Sequence, residues 1–257
     1  MSSASMALQQ VRYENRSFWR NPAAAFFTCL LPLIFLVLFN AIFGDSRIEL
    51  DGRVMDGSTF YVPGIAALSV VSACYTNIGM MVTIARDLGI LKRVRGTPLP
   101  PWAYIFGRLA QSVLVAALLV AIVTAAGAIA YSTHVPDNTL PGFALTLVVG
   151  ALTFCALGLA LTSIIPNADA APAITNATIL PLLFISNVFI PMQDPPAWLD
   201  FVGDVFPVKH FAAAMQTAYD PEQTGAGIEW GELGIIAAWG VAGTLLAVRF
   251  FSWEPRR

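Results

Sequence analysis

Charged residues are scarce in this chain, because Asp, Glu, Lys and Arg make up only 12% of its 257 residues. An average soluble domain contains about 25%. Hydrophobic residues account for 57% of the sequence, and several runs reach the roughly 20 apolar residues that a helix needs to cross a bilayer. The composition excludes an ordinary soluble domain and predicts an all-α integral membrane protein, since backbone groups in lipid must be satisfied within a helix.

Residue patterns that carry catalysis or bind cofactors are missing as well. The sequence contains no G-x-x-x-x-G-K-[ST] loop, so we expect no ATP on this chain. Neither His134 nor His210 has a second His or Cys at the spacing of metal ligands, and there is no G-x-S-x-G nucleophile motif. We therefore expect no catalytic residue, no metal, no cofactor and no enzyme activity on the chain, and no binding to nucleic acid.

Cysteine is rare too, with three residues in the whole chain. Cys29, Cys74 and Cys155 each lie in an apolar run, without the paired spacing of a metal site or a disulfide framework. We interpret them as small buried apolar residues.

Six apolar runs are predicted to span the membrane. They cover approximately residues 23–43, 60–85, 102–131, 142–165, 170–190 and 233–251. They divide the chain into a cytoplasmic N-terminal segment, residues 1–22, and one transmembrane domain, residues 23–257. In the first segment, residues 6–20 mix apolar side chains with arginines, which is typical of an amphipathic helix lying at the membrane surface.

Basic residues concentrate at one end of the predicted spans. With six spans both termini lie on the same side, and that side holds 11 of the 14 Lys and Arg residues. Only Arg47, Arg53 and Lys209 lie on the other side. Because basic loops stay in the cytoplasm, we expect a multi-pass protein of the cytoplasmic membrane with both termini inside.

The segment between the second and third spans is the most informative loop. A helix over residues 86–95 would have one apolar face and one basic face. The apolar face would carry Leu88, Leu91 and Val94, and the basic face would carry Lys92, Arg93 and Arg95. From the residues alone two interpretations stay open: the helix rests on anionic membrane lipid, or it docks a cytoplasmic partner protein.

This loop resembles the coupling region of ABC-2 type exporter permeases, the family of the daunorubicin-resistance permeases. The similar stretch is RDLGILKRVRGTPLPPWAYIFGRL, residues 86–109, although Asp87 stands where the family usually has Glu. Residues 179–219 resemble the family's fifth span and the short re-entrant outer helices that follow it. The resemblance implies that residues 86–95 form a coupling helix. Its docking residues would be Arg86, Asp87, Leu88, Leu91, Lys92, Arg93, Val94 and Arg95.

The resemblance also implies partners. A separate ABC ATPase subunit would bind the ATP and Mg, and a second permease copy or a related permease would complete the membrane part.

Small polar residues follow one side of the second predicted span and recur on the fifth. Close helix packing is one interpretation of such residues, and a surface that faces a substrate is the other. In the family that the chain resembles, the two copies of these spans meet near the dimer axis, which implies a position beside the translocation path. The residues concerned are Ser69, Ser72, Thr76, Thr83, Asn176 and Thr178.

The preferred prediction is the permease subunit of an ABC exporter. Because few charges line the predicted path, an amphipathic or lipophilic substrate such as a drug, lipid or glycolipid fits better than a small ion. Two alternatives are a passive channel or membrane adaptor without ATPase coupling, and a membrane-embedded enzyme. A channel should show rings of pore-lining residues, and an enzyme should show paired catalytic groups; we find neither pattern in the sequence.

Overall fold

The computed structural model describes residues 3–44, 46–50, 53–191, 195–220, 222–223 and 225–254. Within these ranges the chain is helical apart from one antiparallel hairpin, β1 (Arg47–Leu50) with β2 (Arg53–Asp56), and the connecting turns. The helices are α1 (Ser3–Trp19), α2 (Pro22–Phe43), α3 (Gly57–Val71), a π-helix (Ser72–Thr76), α4 (Asn77–Asp87), α5 (Ile90–Arg95), α6 (Pro101–Tyr131), α7 (Leu140–Leu161), α8 (Ala171–Ile185), α9 (Ala197–Val205), α10 (Pro207–Tyr219) and α11 (Trp230–Phe250).

Five helices in the described part of the chain are long and apolar enough to cross a membrane. They are α2, the continuous helix Gly57–Asp87 that contains α3, the π-helix and α4, and then α6, α7 and α11. The prediction of an all-α membrane protein is therefore confirmed. Arg256 and Arg257, which contributed to the predicted orientation, lie outside the described residues. So do residues 192–194, which belong to the stretch 179–219 that resembles the family.

The helix in the fifth predicted span is shorter than the sequence predicted. The apolar run covers residues 170–190, but α8 has only 15 residues and ends at Ile185. Asn187 has a φ of 53°, and a residue in this left-handed region commonly ends a helix. Helix length alone thus supports five spans, and α8 is an apolar helix followed by turns.

The continuous helix from Gly57 to Asp87 lies at the centre of the fold. In its most apolar stretch of 18 residues, 72% of the residues are buried, whereas the buried share of the corresponding stretch is 17% in α2 and 22% in α11. Helix α6 packs along α3, α7 packs against the π-helix and α4, and α11 packs along α7. The exposed apolar surfaces of α2 and α11 suit a lipid environment, because contact with lipid has no hydrophobic cost.

A π-helix interrupts this central helix at residues Ser72–Thr76. It fits against α7 because Gly158 has no side chain there: a Cβ at Gly158 would lie 2.6 Å from the carbonyl oxygen of Tyr75. A π-helical turn contains an extra residue, so the side chains that follow it are rotated relative to those before it. Such turns occur frequently at functional sites.

Helix α1 packs along α6. The carboxylate of Glu14, whose side chain is only 4% exposed, pairs with the Arg108 guanidinium at 3.0 Å and accepts a 2.8 Å hydrogen bond from Gln10. Burying a carboxylate without such partners would be costly. The N-terminal segment is therefore a helix attached to α6 through a buried ion pair.

Two short helices, α9 and α10, connect α8 to α11. The His210 side chain on α10 contacts the carboxylate of Glu232 on α11, and its Nε2 lies 2.7 Å from the carbonyl oxygen of Asp204 on α9. The Phe211 ring packs edge-on against Phe154 of α7, with ring centroids 5.3 Å apart. These contacts tie α9 and α10 to the start of α11, and α10 also to α7.

Candidate functional site

The segment that follows the central helix does not form the single helix predicted over residues 86–95. Helix α4 ends at Asp87, and α5 begins at Ile90 and has six residues. Gly89 lies between them with a φ of 70°, which glycine adopts readily because it has no Cβ. The prediction of one continuous helix was wrong, because this left-handed glycine separates α5 from α4.

The burial of the apolar residues also differs from the prediction. Leu91, expected on the docking face, is 0% exposed and packs in the core, whereas Leu88 is 62% exposed. Val94 is half-buried against the same core. The surface that is open to a partner combines apolar and basic side chains. We call it the α5 surface, and it comprises Leu88, Ile90, Lys92, Arg93 and Arg95.

Arg86 points into the protein and not towards a partner. Its residue is 1% exposed, and its guanidinium donates to the carbonyl oxygens of Thr162 at 2.8 Å and Ile165 at 2.7 Å. The last carbonyls of a helix have no partner within the helix, and a cation there also interacts favourably with the helix dipole. Arg86 therefore holds the end of α4 to the carboxyl end of α7.

Asp87 completes this connection. Its Oδ2 accepts a 2.6 Å hydrogen bond from the backbone N–H of Ala168, and its Oδ1 lies 3.8 Å from Arg86 Nε. Ala168 belongs to the short link between α7 and α8. The assignment of Arg86 to partner docking is thus corrected: Arg86 and Asp87 fasten the second span to this link. The sequence did not lead us to predict this interaction, although the polar residues of the link could have indicated a hydrogen-bonding partner for the end of the second span.

The residues predicted beside the translocation path lie in different environments. On the second span, the π-helix interrupts the helical period that would place these residues on one side. Ser69 and Thr83 are fully buried and donate to backbone carbonyls of their own helix, at Ile65 and Gly79. Close helix packing describes these two buried residues better than a surface that faces a substrate.

The remaining path residues lie near the surface or beside cavities. Ser72 and Thr76 border a cavity of about 310 Å³ between α2, the π-helix and α6. Thr178 borders another of about 390 Å³ between the π-helix, α7, α8 and α11, which we call the lateral cavity. Asn176 is exposed on α8. The π-helix thus contributes side chains to both cavities.

Residues 8–219, most of the chain, match the family described as ABC-2 type transporter. The chain belongs to the ABC-2 type transporter family. It is a multi-pass membrane protein and, by its family, the transmembrane subunit of an ABC transporter.

Two curated relatives illustrate the similarity. The chain is 26% identical over 187 residues to the daunorubicin resistance ABC transporter permease protein DrrB1 of Streptomyces coeruleorubidus, covering 72% of this chain and 64% of the relative. It is 25% identical over 166 residues to the protein of Escherichia coli K12 named as a probable multidrug ABC transporter permease, YbhR, covering 64% of this chain and 45% of that protein. The matched regions span less than two thirds of either relative.

Proposed function

We propose that this permease moves an amphipathic or lipophilic substrate out across the cytoplasmic membrane, driven by ATP hydrolysis on a separate ABC ATPase subunit that holds the ATP and Mg. The observation that carries the proposal is the arrangement at the end of the second span. There an exposed apolar and basic surface follows directly on Arg86, which is buried and bonded to α7.

This arrangement would transmit motion from the ATPase. A partner that displaces α5 pulls on the end of α4 across only two residues, Leu88 and Gly89. Because Arg86 bonds to Thr162, which caps α7, and both Arg86 and Asp87 bond to the α7–α8 link, the same displacement reaches three helices together. A bonded network with rigid helices is a physical route for coupling between distant sites.

The proposed topology has six spans with both termini in the cytoplasm. In it α8 and the turns after it cross as the fifth span, because Leu180, Phe184 and Ile190 expose apolar side chains suited to lipid. Helices α9 and α10 would then be re-entrant on the outer side, and α1 would lie at the inner surface, where the basic side chains Arg12 and Arg16 are exposed.

A second permease copy or a related permease completes the proposed assembly. The exposed apolar side chains of α2, such as Phe27, Leu31 and Val37, are available to pack against another membrane helix.

A pair of leucines tests whether the α5 surface docks the ATPase. We expect Leu88→Ala to weaken ATPase binding by about 1–2 kcal/mol, or roughly 5- to 30-fold, if this exposed side chain fills a pocket on the partner. Leu91→Ala should instead destabilise the permease itself by about 2–5 kcal/mol, because it leaves a cavity in the core. Affinity for the purified ATPase and thermal unfolding in detergent are measured for both variants. Unchanged ATPase affinity for Leu88→Ala, with a stable permease, would exclude docking through this side chain.

A further inference from the structure

The lateral cavity has the size and lining of a small-molecule site. Its volume of about 390 Å³ lies in the range of roughly 300–1,000 Å³ that is typical of ligand pockets. Among the described residues that line it none is charged, and most are apolar, including Phe154, Leu157, Leu182 and Val208. A ligand in this cavity must therefore be largely apolar.

The lining of the cavity contains a pair of hydrogen-bonded hydroxyl groups. Tyr75 Oη and Thr178 Oγ1 are 2.8 Å apart. The Thr178 hydroxyl also lies within hydrogen-bond distance of the backbone carbonyls of Ile174 at 3.0 Å and Thr175 at 2.9 Å. Either hydroxyl can donate within the pair, and in both cases the Tyr75 oxygen has a lone pair left, because a hydroxyl oxygen has two acceptor lone pairs. The Tyr75 oxygen keeps acceptor capacity at the cavity.

Side-chain hydrogen-bond donors are few in the lining. The indole N–H of Trp239 donates to the carbonyl oxygen of Val205 at 2.7 Å, so this ring presents an apolar face to the cavity. The remaining lining side chains besides Tyr75, Thr178 and Trp239 are hydrocarbon or aromatic and have no N–H or O–H to give. A carboxylate or phosphate here would find no cationic side chain among the described lining residues, and burying an unpaired charge is costly.

Access to the cavity is from the apolar surface of the protein. Ala177 at its rim is exposed, and the neighbouring Leu180 and Phe184 on α8 are exposed apolar side chains. In a membrane protein such a surface faces lipid or another membrane helix, so only a molecule dissolved in the bilayer can enter from this side.

We propose that the lateral cavity binds an uncharged or weakly basic amphipathic molecule whose hydroxyl or amine group donates a hydrogen bond to Tyr75. Its apolar body occupies the space between α7, α8 and Trp239. This site lies within one permease chain and needs neither the ATPase nor a second copy. The proposal deepens the proposed function by naming a ligand class, but it stands on binding to this chain alone.

The test uses a photoreactive long-chain alcohol and the matched fatty acid, each with a diazirine on its chain, added to the purified permease in phosphatidylcholine nanodiscs. We expect the alcohol to label peptides that line the cavity, and the acid to label them far less at pH 8. Tyr75→Phe keeps the ring and removes the acceptor, so it should weaken alcohol binding about 5- to 30-fold, as expected for one buried hydrogen bond.

A matched pair of tryptophan variants distinguishes the cavity from general lipid contact. Ala177→Trp at the cavity rim should abolish the labelling, whereas Ala173→Trp, also exposed on α8 but outside the lining, should leave it unchanged. Equal labelling by alcohol and acid, unaffected by Tyr75→Phe and Ala177→Trp, would show contact with bulk lipid only and overturn the proposal. That result would leave the proposed export function intact, since ATP-driven transport is measured separately.

The same variants identify the source of the ligand. If it is a resident lipid, lipid analysis of the washed wild-type protein should find a hydroxyl- or amine-bearing lipid that is lost from Ala177→Trp. If it is cargo, the washed protein should be empty and only the added alcohol should bind. Both results support the site.

Discussion

Replacing Arg86 with methionine is expected to destabilise the folded permease strongly. The guanidinium donates to the carbonyls of Thr162 and Ile165 and lies 3.4 Å from that of Pro166. Methionine has a similar length but no N–H, so these buried acceptors would lose their donor. Each unsatisfied buried group costs about 1–3 kcal/mol, so the variant should lose about 3–5 kcal/mol, a large part of a typical stability.

The measurement is the yield of monodisperse protein in detergent, together with its thermal unfolding midpoint. Arg95→Met is the matched control, because Arg95 is exposed and its loss should leave folding unchanged. Arg86→Lys should be intermediate, since one ammonium cannot serve acceptors that the planar guanidinium reaches with two nitrogens. Equal unfolding midpoints for Arg86→Met and Arg95→Met would contradict the role given to Arg86.

The proposed orientation of the permease in the membrane predicts which introduced cysteines can be labelled from outside the cell. We expect Ser3→Cys to react with a membrane-impermeant maleimide only after the membrane is opened, and Asn138→Cys to react in intact cells. Both positions are exposed, and they lie on opposite sides in the proposed topology. Cys29 is replaced by Ser in both variants, because Cys74 and Cys155 are buried and Cys29 is only partly so.

The labelling result is all or none, so it decides the orientation of the first three spans without a rate comparison. Asn138 lies between α6 and α7 and Ser3 begins α1, which places an odd number of crossings between them. Reaction of both cysteines from the same side would contradict the arrangement.

The sequence predicted the membrane class, the long helices and the family, because long apolar runs and the stretch at residues 86–109 depend on local composition and order. It did not predict which face of α5 is buried. A helical projection over residues 86–95 assumes one uninterrupted axis, and the left-handed Gly89 changes the direction of the chain between Leu88 and Leu91. Because of this turn, Leu88 is exposed whereas Leu91 is buried.

The role of Arg86 and the separation of the path residues depend on contacts distant in sequence. The acceptors of Arg86 lie 76 and 79 residues away, and nothing in the basic loop itself distinguishes a buried arginine from the exposed Arg93 or Arg95. Likewise the stripe of small polar residues assumes 3.6 residues per turn, and the π-helix breaks that period. The proximity of Tyr75 and Thr178 depends on the packing of the π-helix against α8.

On the cytoplasmic side, we expect the α5 surface to contact an ABC ATPase. Site-specific crosslinking in membranes tests this contact, with Leu88→Cys on this surface and Trp230→Cys at the start of α11, both positions being highly exposed. We expect a bifunctional thiol and amine reagent to join a Walker-type ATPase to the permease through Leu88→Cys and not through Trp230→Cys. No ATPase adduct at Leu88→Cys, or an adduct only at Trp230→Cys, would contradict it.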